Sequence, residues 1–444
     1  MRKHVLKMAA GLLTAGLAVS LAGCGTNTPA PQATSGADQS SAVSGEAEVT
    51  GQTLKVLLSE EPGQEDALSI ALNAWAAETG NTIETVIISH DDMLTKFPAM
   101  AKNKDLPDLI HTTRLHQLYP DEFVDISTVT DLDKFNDSAL KIVGKSYTSD
   151  KISGAPEQFT ITCMYYNKDA FAQAGIEAPT AEKPWTWEEL YRNAAILKEQ
   201  GGTKYGFAAD VSRARYDILM YANGGSLVEK DGDSFKVAVN SAANIGTLEA
   251  FVNAHNDGVM PKAIWAGGST DNPVEYFKNG DAAILLSGSW NYNAFASDVT
   301  KFEFGVMPTP AGTASQAAII GGASLAIPEE GKNKEAAVAF LKWFYEDTNY
   351  QTFLQNHKGL SVMDTTAYQP DGEKARQDFA IMQDELNFVT DTFMTDESSS
   401  WRTYKDNEYR DNLKRAVAGE VTAKEALDEF AGELAEASGW SVAE

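Results

Sequence analysis

The residue types able to do covalent or acid–base work are sparse in this chain and poorly spaced for it. His111 and His116 stand five residues apart, off the i, i+4 spacing that puts two groups on one helix face. No HExxH, nucleophile elbow, phosphate loop or cysteine cluster accompanies them. Adjacent carboxylates such as Glu60 and Glu61 are what a glycoside hydrolase uses, but a chain with 63 acidic residues contains such pairs by composition alone. The stretch DGDSF (231–235) has two carboxylates of a calcium loop without the rest, and EKDGDSFKV (229–237) reads as a hairpin turn between two strands. Non-covalent binding asks for other residues: flat aromatic rings offer an apolar plane to a ligand while planar polar side chains satisfy its polar groups once water is excluded. The residues to look for are therefore Trp and Tyr near strand ends, beside Asp, Glu, Asn, Gln or Arg.

The elements that would hold such residues alternate along the chain. LKVLLS (54–59), IETVIIS (83–89) and PDLIH (107–111) read as strands. Between them, Pro62 to Thr79 carries Leu68, Leu72, Trp75 and Ala76 at helical spacing, and Asp91 to Lys102 reads as a second helix. Strand, helix, strand repetition predicts an α/β fold with a parallel or mixed sheet covered by helices on both faces. Ligands of such sheets bind at the carboxyl ends of the strands. Thr186 with Glu189 and Thr422 with Glu425 fit capping boxes, and 333–346 has Val338, Leu341 and Tyr345 along one stripe. Trp75, Trp185, Trp187 and Trp343 fall at helical or capping positions and are read as core. From about Gly51 onward there are about 390 residues of foldable composition, enough for two or three domains.

The first 50 residues differ in kind. Arg2, Lys3 and Lys7 form a basic end, and Met8 to Ala22 are almost wholly apolar or small, the pattern of a secretory signal over 1–23. The run is shorter than the ~20 apolar residues of a membrane span and is interrupted by Gly11, Thr14, Gly16 and Ser20. LAGC (21–24) resembles the bacterial lipobox, which implies that Cys24 is the lipidated first residue of the mature protein. Residues 25–50, rich in Gly, Ser, Thr, Ala and Pro, read as a disordered tether behind it. With Cys24 lipidated, Cys163 has no disulfide partner. Loss of the three basic residues moves the net charge from −27 to −30, which argues against nucleic acid and against adsorption to anionic lipid.

At YYNKDAFAQAGIEAPTAEKPWTWEELYRNAAIL (165–197) the chain resembles the extracellular solute-binding proteins of family 1, the carbohydrate receptors of ABC importers, related to maltose-binding proteins. The resemblance continues in order through YANGGSLV (221–228), FKNGDAAILLSGSW (277–290), FGVMPTPAG (304–312), GGASLAIP (321–328), KNKEAAVAFLKWF (332–344) and GEVTAKEALDEF (419–430). It implies a periplasmic-binding-protein-like type II fold: two α/β lobes joined by a hinge of three chain crossings, with the solute in the cleft between them. The crossings are expected near Pro156 to Thr160, Gly321 to Ser324 and Ser361 to Met363. One lobe would hold 51–157 plus 324–363, and the other 158–323 plus 364–444.

By the same resemblance Trp290 matches the stacking tryptophan and Trp401 an aromatic platform of the second lobe, with Trp265 a further aromatic candidate. Polar candidates are Thr113 and Arg114 behind PDLIH, Gln158 and Thr160 at the first crossing, Asp210 and Arg213 behind YGFAA, and Arg402. Gly321 and Gly322 would turn at the hinge or let backbone approach the ligand. Arg114, Arg213 and Arg402, were they to converge, would favour an acidic sugar. The implied protein is a monomer without catalysis, cofactor or metal, lipid-anchored on the extracytoplasmic face of the membrane and delivering a mono- or oligosaccharide to permease subunits. A receptor of the same fold for a polyamine or other small solute, and a cell-surface glycoside hydrolase, are the competing readings.

Overall fold

The computed structural model describes residues 49–443 apart from 60, 62–65 and 267–271, and leaves the side chains of His90 and Asp91 undescribed. The expected signal segment, Cys24, most of the tether and Glu60 lie outside the described residues. Strand β1 (Thr53–Leu58) buries Leu54, Val56 and Leu57. Helix α1 (Ala67–Thr79) starts where the Asp66 carboxylate accepts from the Ser69 amide, and ends at Gly80 in the left-handed region. Its stripe of Leu68, Leu72, Trp75 and Ala76 is buried. Strand β2 (Thr82–Ile87), helix α2 (His90–Lys102) and strand β3 (Leu109–Thr112) follow, and β2 and β3 flank β1 in parallel register.

Strand β4 (Ala155–Asn167) is 13 residues long and almost wholly buried. Helix α3 (Trp187–Gln200) begins with the expected Thr186–Glu189 capping box. Strand β5 (Tyr205–Ala209) leads into helix α4 (Arg213–Ala222). Strands β6 (Val228–Asp231) and β7 (Ser234–Val237) form the hairpin read from the sequence, turning at Gly232 with φ 63°. Strands β8 (Ala282–Gly288), β9 (Phe304–Met307) and β10 (Ile320–Ala326) complete the main sheet. Helices α5 (Lys334–Phe344), α6 (Asp391–Ser398), α7 (Arg402–Ala418) and α8 (Ala423–Ser438) close the chain, the last with its Thr422–Glu425 capping box formed. In α5 the buried face is Ala336, Ala337, Phe340, Leu341 and Phe344, so Leu341 of the expected stripe is buried and Val338 is at its margin. Among the described residues no helix is long and apolar enough to cross a membrane.

The main sheet is mixed and runs β2-β1-β3-β10-β4-β8-β5, with β9 also on β4. Strand β4 joins its two halves: residues 155–161 pair antiparallel with β10, whereas 162–167 pair with β8 and β9. The fold is that of two α/β lobes, and the segments expected to cross between them lie side by side. Gly321 pairs with Thr160, Gly322 with Phe159 and Ala323 with Gln158, and a register shift separates Ala323 from Ser324. Leu360 bridges to Phe159 and Met363 to Phe135. A Cβ at Gly322 would overlap the carbonyl oxygen of Gln158, so only glycine lets β10 approach β4 at this point.

Candidate functional site

The carboxyl ends of β3, β5 and β8 open onto one cavity of about 470 Å³. Thr113 and Arg114 reach it from the end of β3, Val211 to Arg215 from the turn into α4, and Trp290 from the end of β8. Thr160 of β4 and Ile320, Gly321 and Gly322 of β10 form its floor, while Tyr147, Glu397, Arg402, Asp406, Asn407 and Arg410 supply the remaining wall. A second cavity of about 330 Å³ is lined by Ser59, Glu61, Asp66, His111, Glu157, Gln158, Asn293 and His357. Trp290 is common to both walls.

Trp290 is 40 % exposed, unusual for the largest apolar side chain. Its ring folds back over Gly288, where any Cβ would overlap it. The Arg215 guanidinium lies 5.1 Å from the ring centroid, within cation–π range.

Charge dominates the larger cavity. Asp406 accepts from Arg114 and, at 2.9 Å, from Arg213 Nε. Burial pushes the Asp406 carboxyl upward, but the Arg213, Arg114 and Arg402 guanidinia prevail and hold it well below the usual carboxylate range. Arg213 also donates to Asp217 at 2.8 Å, and Arg402 pairs with Glu397 and donates to the Tyr147 hydroxyl at 3.1 Å. The chain is bent to allow this. Ser400 adopts φ 55°, rare for a residue with a side chain, and donates its Oγ to the Tyr147 carbonyl at 2.5 Å. Lys405 leaves helical geometry inside the first turns of α7, next to Asp406. In the smaller cavity His111 Nε2 meets Glu157 Oε2 at 2.9 Å. Burial opposes ionisation of Glu157, yet His111 and His357 leave its carboxyl below the usual range.

The structure brings Thr113, Arg114, Thr160, Arg213, Trp290, Gly322 and Arg402 to the larger cavity and Gln158 to the smaller. It places three expected residues elsewhere. Trp401 is 0 % exposed and packs edge-on against Tyr409 and Phe430, with Arg213 5.0 Å from its ring. It is core, backing an arginine of the wall in place of a solute. Trp265 is 1 % exposed, packs edge-on against Phe251 and donates to the Ala209 carbonyl at 3.4 Å. Asp210 lies behind the wall, where it accepts from Ser287 Oγ and stands 3.9 Å from Arg215. Tyr147, Arg215, Glu397, Asp406 and Arg410 are wall residues that sequence reasoning passed over. Arg215 alone had a signal, since RARYD (213–217) repeats an arginine two residues after Arg213.

The chain has relatives in sequence and in fold. A binding protein of Brucella abortus (strain 2308) is 26 % identical over 71 % of this chain and 75 % of its own. The galactooligosaccharide-binding protein of Bacillus subtilis (strain 168) is 24 % identical over 63 % of this chain and 65 % of its own. Among solved structures, an ABC substrate-binding protein from Listeria monocytogenes in complex with cycloalternan superposes with a TM-score of 0.74, covering 88 % of this chain and all of that one at 20 % identity. Residues 59–351, which include strands β2 to β10 and Trp290, match the family described as bacterial extracellular solute-binding protein, and the chain belongs to that family.

Proposed function

We propose that this protein is the solute receptor of an ABC importer, that its solute is a carbohydrate, and that it passes the solute on chemically unchanged. The observation that carries the reading is Trp290: a large indole left 40 % exposed at the meeting of two polar cavities, on the strand end where the two halves of the sheet join. Such a ring offers an apolar plane to a sugar, and the surrounding Thr, Asn, Gln, Asp and Arg side chains meet hydroxyls. The relatives named for galactooligosaccharide and cycloalternan support the same class. A polyamine would need a surplus of carboxylates around the indole, and five arginines line the larger cavity against Glu397 and Asp406.

In this reading 51–157 with 324–363 and 158–323 with 364–444 are the lobes, closing about β4, β10 and the Leu360–Met363 segment. Contacts from both lobes exist together only in the closed form, so the solute shifts the population toward it. The lobe tips beside the cleft then dock on the permease. The mature chain works as a monomer tethered outside the membrane through lipidated Cys24, as LAGC behind an apolar run suggests, and catalysis plays no part. A thermal-shift screen of the purified protein against a panel of mono- and oligosaccharides tests this. A solute bound by the folded state alone raises the midpoint, by about 2.7 kcal/mol of stabilisation at a hundredfold excess over Kd. Recovery of a chemically altered oligosaccharide, or shifts with polyamines and none with saccharides, would reject it.

A further inference from the structure

The larger cavity is lined by Arg114, Arg213, Arg215, Arg402 and Arg410, with Glu397 and Asp406 in its wall and Asp210 and Asp217 behind it. Arg215 is held less firmly than Arg114, Arg213 and Arg402. Arg114 and Arg213 share Asp406, and Arg402 holds Glu397. Arg215 is 7 % exposed, yet its nearest carboxylate, Asp210, is 3.9 Å away, and that same oxygen already accepts from Ser287. Its one hydrogen bond to another side chain is 3.4 Å long, to Thr162 Oγ1, and its Nε has no partner among the described residues. A guanidinium so buried, with its Nε–H unpartnered and its carboxylate at the limit of contact, is unfavourable unless an anion joins it. Burial accordingly lowers the Arg215 pKa, against the pull of Asp210.

Resting on the carbohydrate reading, we propose that the solute bears an anionic group, a carboxylate or a phosphate ester, and that Arg215 receives it beside Trp290. The planar fork of a guanidinium matches two oxygens of either group, which a neutral hydroxyl cannot supply. With Trp290 also lining the second cavity, the charged unit occupies the arginine side and any neutral unit extends toward His111 and Asn293.

The test is isothermal titration of the purified protein with matched sets: di- and trigalacturonate against neutral galactobiose and galactotriose, and hexose 6-phosphates against the free hexoses. One acidic set is expected to bind at least about 30-fold tighter than its neutral counterpart, and which set does so distinguishes carboxylate from phosphate. R215M should weaken the acidic solute at least about 30-fold and the neutral one less than about threefold, while R215K, keeping charge without the fork, falls between. Should R215M fail to fold by circular dichroism, the wild-type preference and R215K decide. Neutral saccharides bound as tightly as their acidic counterparts, or equal losses of both in R215M, overturn the anion and leave the carbohydrate reading standing. No binding by any saccharide of either charge overturns both.

Discussion

Trp290 can be removed with little damage to the fold, because its ring stands largely outside the core. W290A is expected to move the melting point of the unliganded protein by only a few degrees and to weaken the best saccharide by about 2 to 4 kcal/mol, the scale of a lost aromatic anchor. Calorimetric titration with that saccharide checks it. His116 makes the opposite case. It is fully buried with Nε2 on the Val143 carbonyl at 2.7 Å, and burial pushes its pKa down to about 4 from 6.5. The unfolded chain therefore takes a proton below pH 6.5 that the native state refuses until about pH 4, so the stability His116 contributes is complete above pH 6.5 and lost as pH falls through that window. H116Q should flatten the stability profile there by about 1.4 kcal/mol per pH unit relative to wild type, read by urea unfolding at a series of pH values. At this scale the sequence was informative just past a strand end, as at Thr113 and Arg114 behind β3, and through the resemblance at Trp290, all of which line the cavity. It misplaced Trp401 and Trp265 because small, polar neighbours such as Ser398 to Ser400 resemble a surface loop, while burial is decided by Tyr409, Phe430 and Phe251 from other segments. Asp406 and Tyr147 enter the wall through backbone distortions that no motif encodes.

At the scale of elements, β10 against β4 is the demanding contact. G322A must displace the Gln158 carbonyl or Val143, whereas a Cβ at Gly321 meets Thr160 Oγ1 at an ordinary 3.4 Å. G322A is expected to cost about 2 kcal/mol or more and G321A less than about 1, compared by urea denaturation of the two variants. An equal effect would mean that the strands can separate locally without loss. The elements themselves were largely readable. β1, β2 and α2 fall within two residues of their expected bounds, and both capping boxes form, because hydrophobic period and cap chemistry are local. What local pattern could not supply is that β4 serves both halves of the sheet, since its partners come from 282–288, 304–307 and 320–326.

At the scale of the molecule, contacts across the cavity couple segments far apart in the chain. Arg114, behind β3, reaches Asp406 in α7, a separation of 292 residues, and Tyr147 is held by Ser400 and Arg402. Ionic contacts of this kind weaken as the screening length shrinks from about 10 Å at 0.1 M salt to about 3 Å at 1 M. Small-angle scattering of the unliganded protein should accordingly give a larger radius of gyration at 1 M than at 0.1 M salt, and a bound saccharide should suppress the difference. An unchanged radius would mean that apolar packing alone sets the spacing of the lobes. The Arg114–Asp406 clasp carries a further implication for capture outside the cell. In the proposed two-lobe receptor such a clasp would leave less to rearrange around a newcomer but a narrower doorway, so brackish surroundings would trade tenacity for speed of entry.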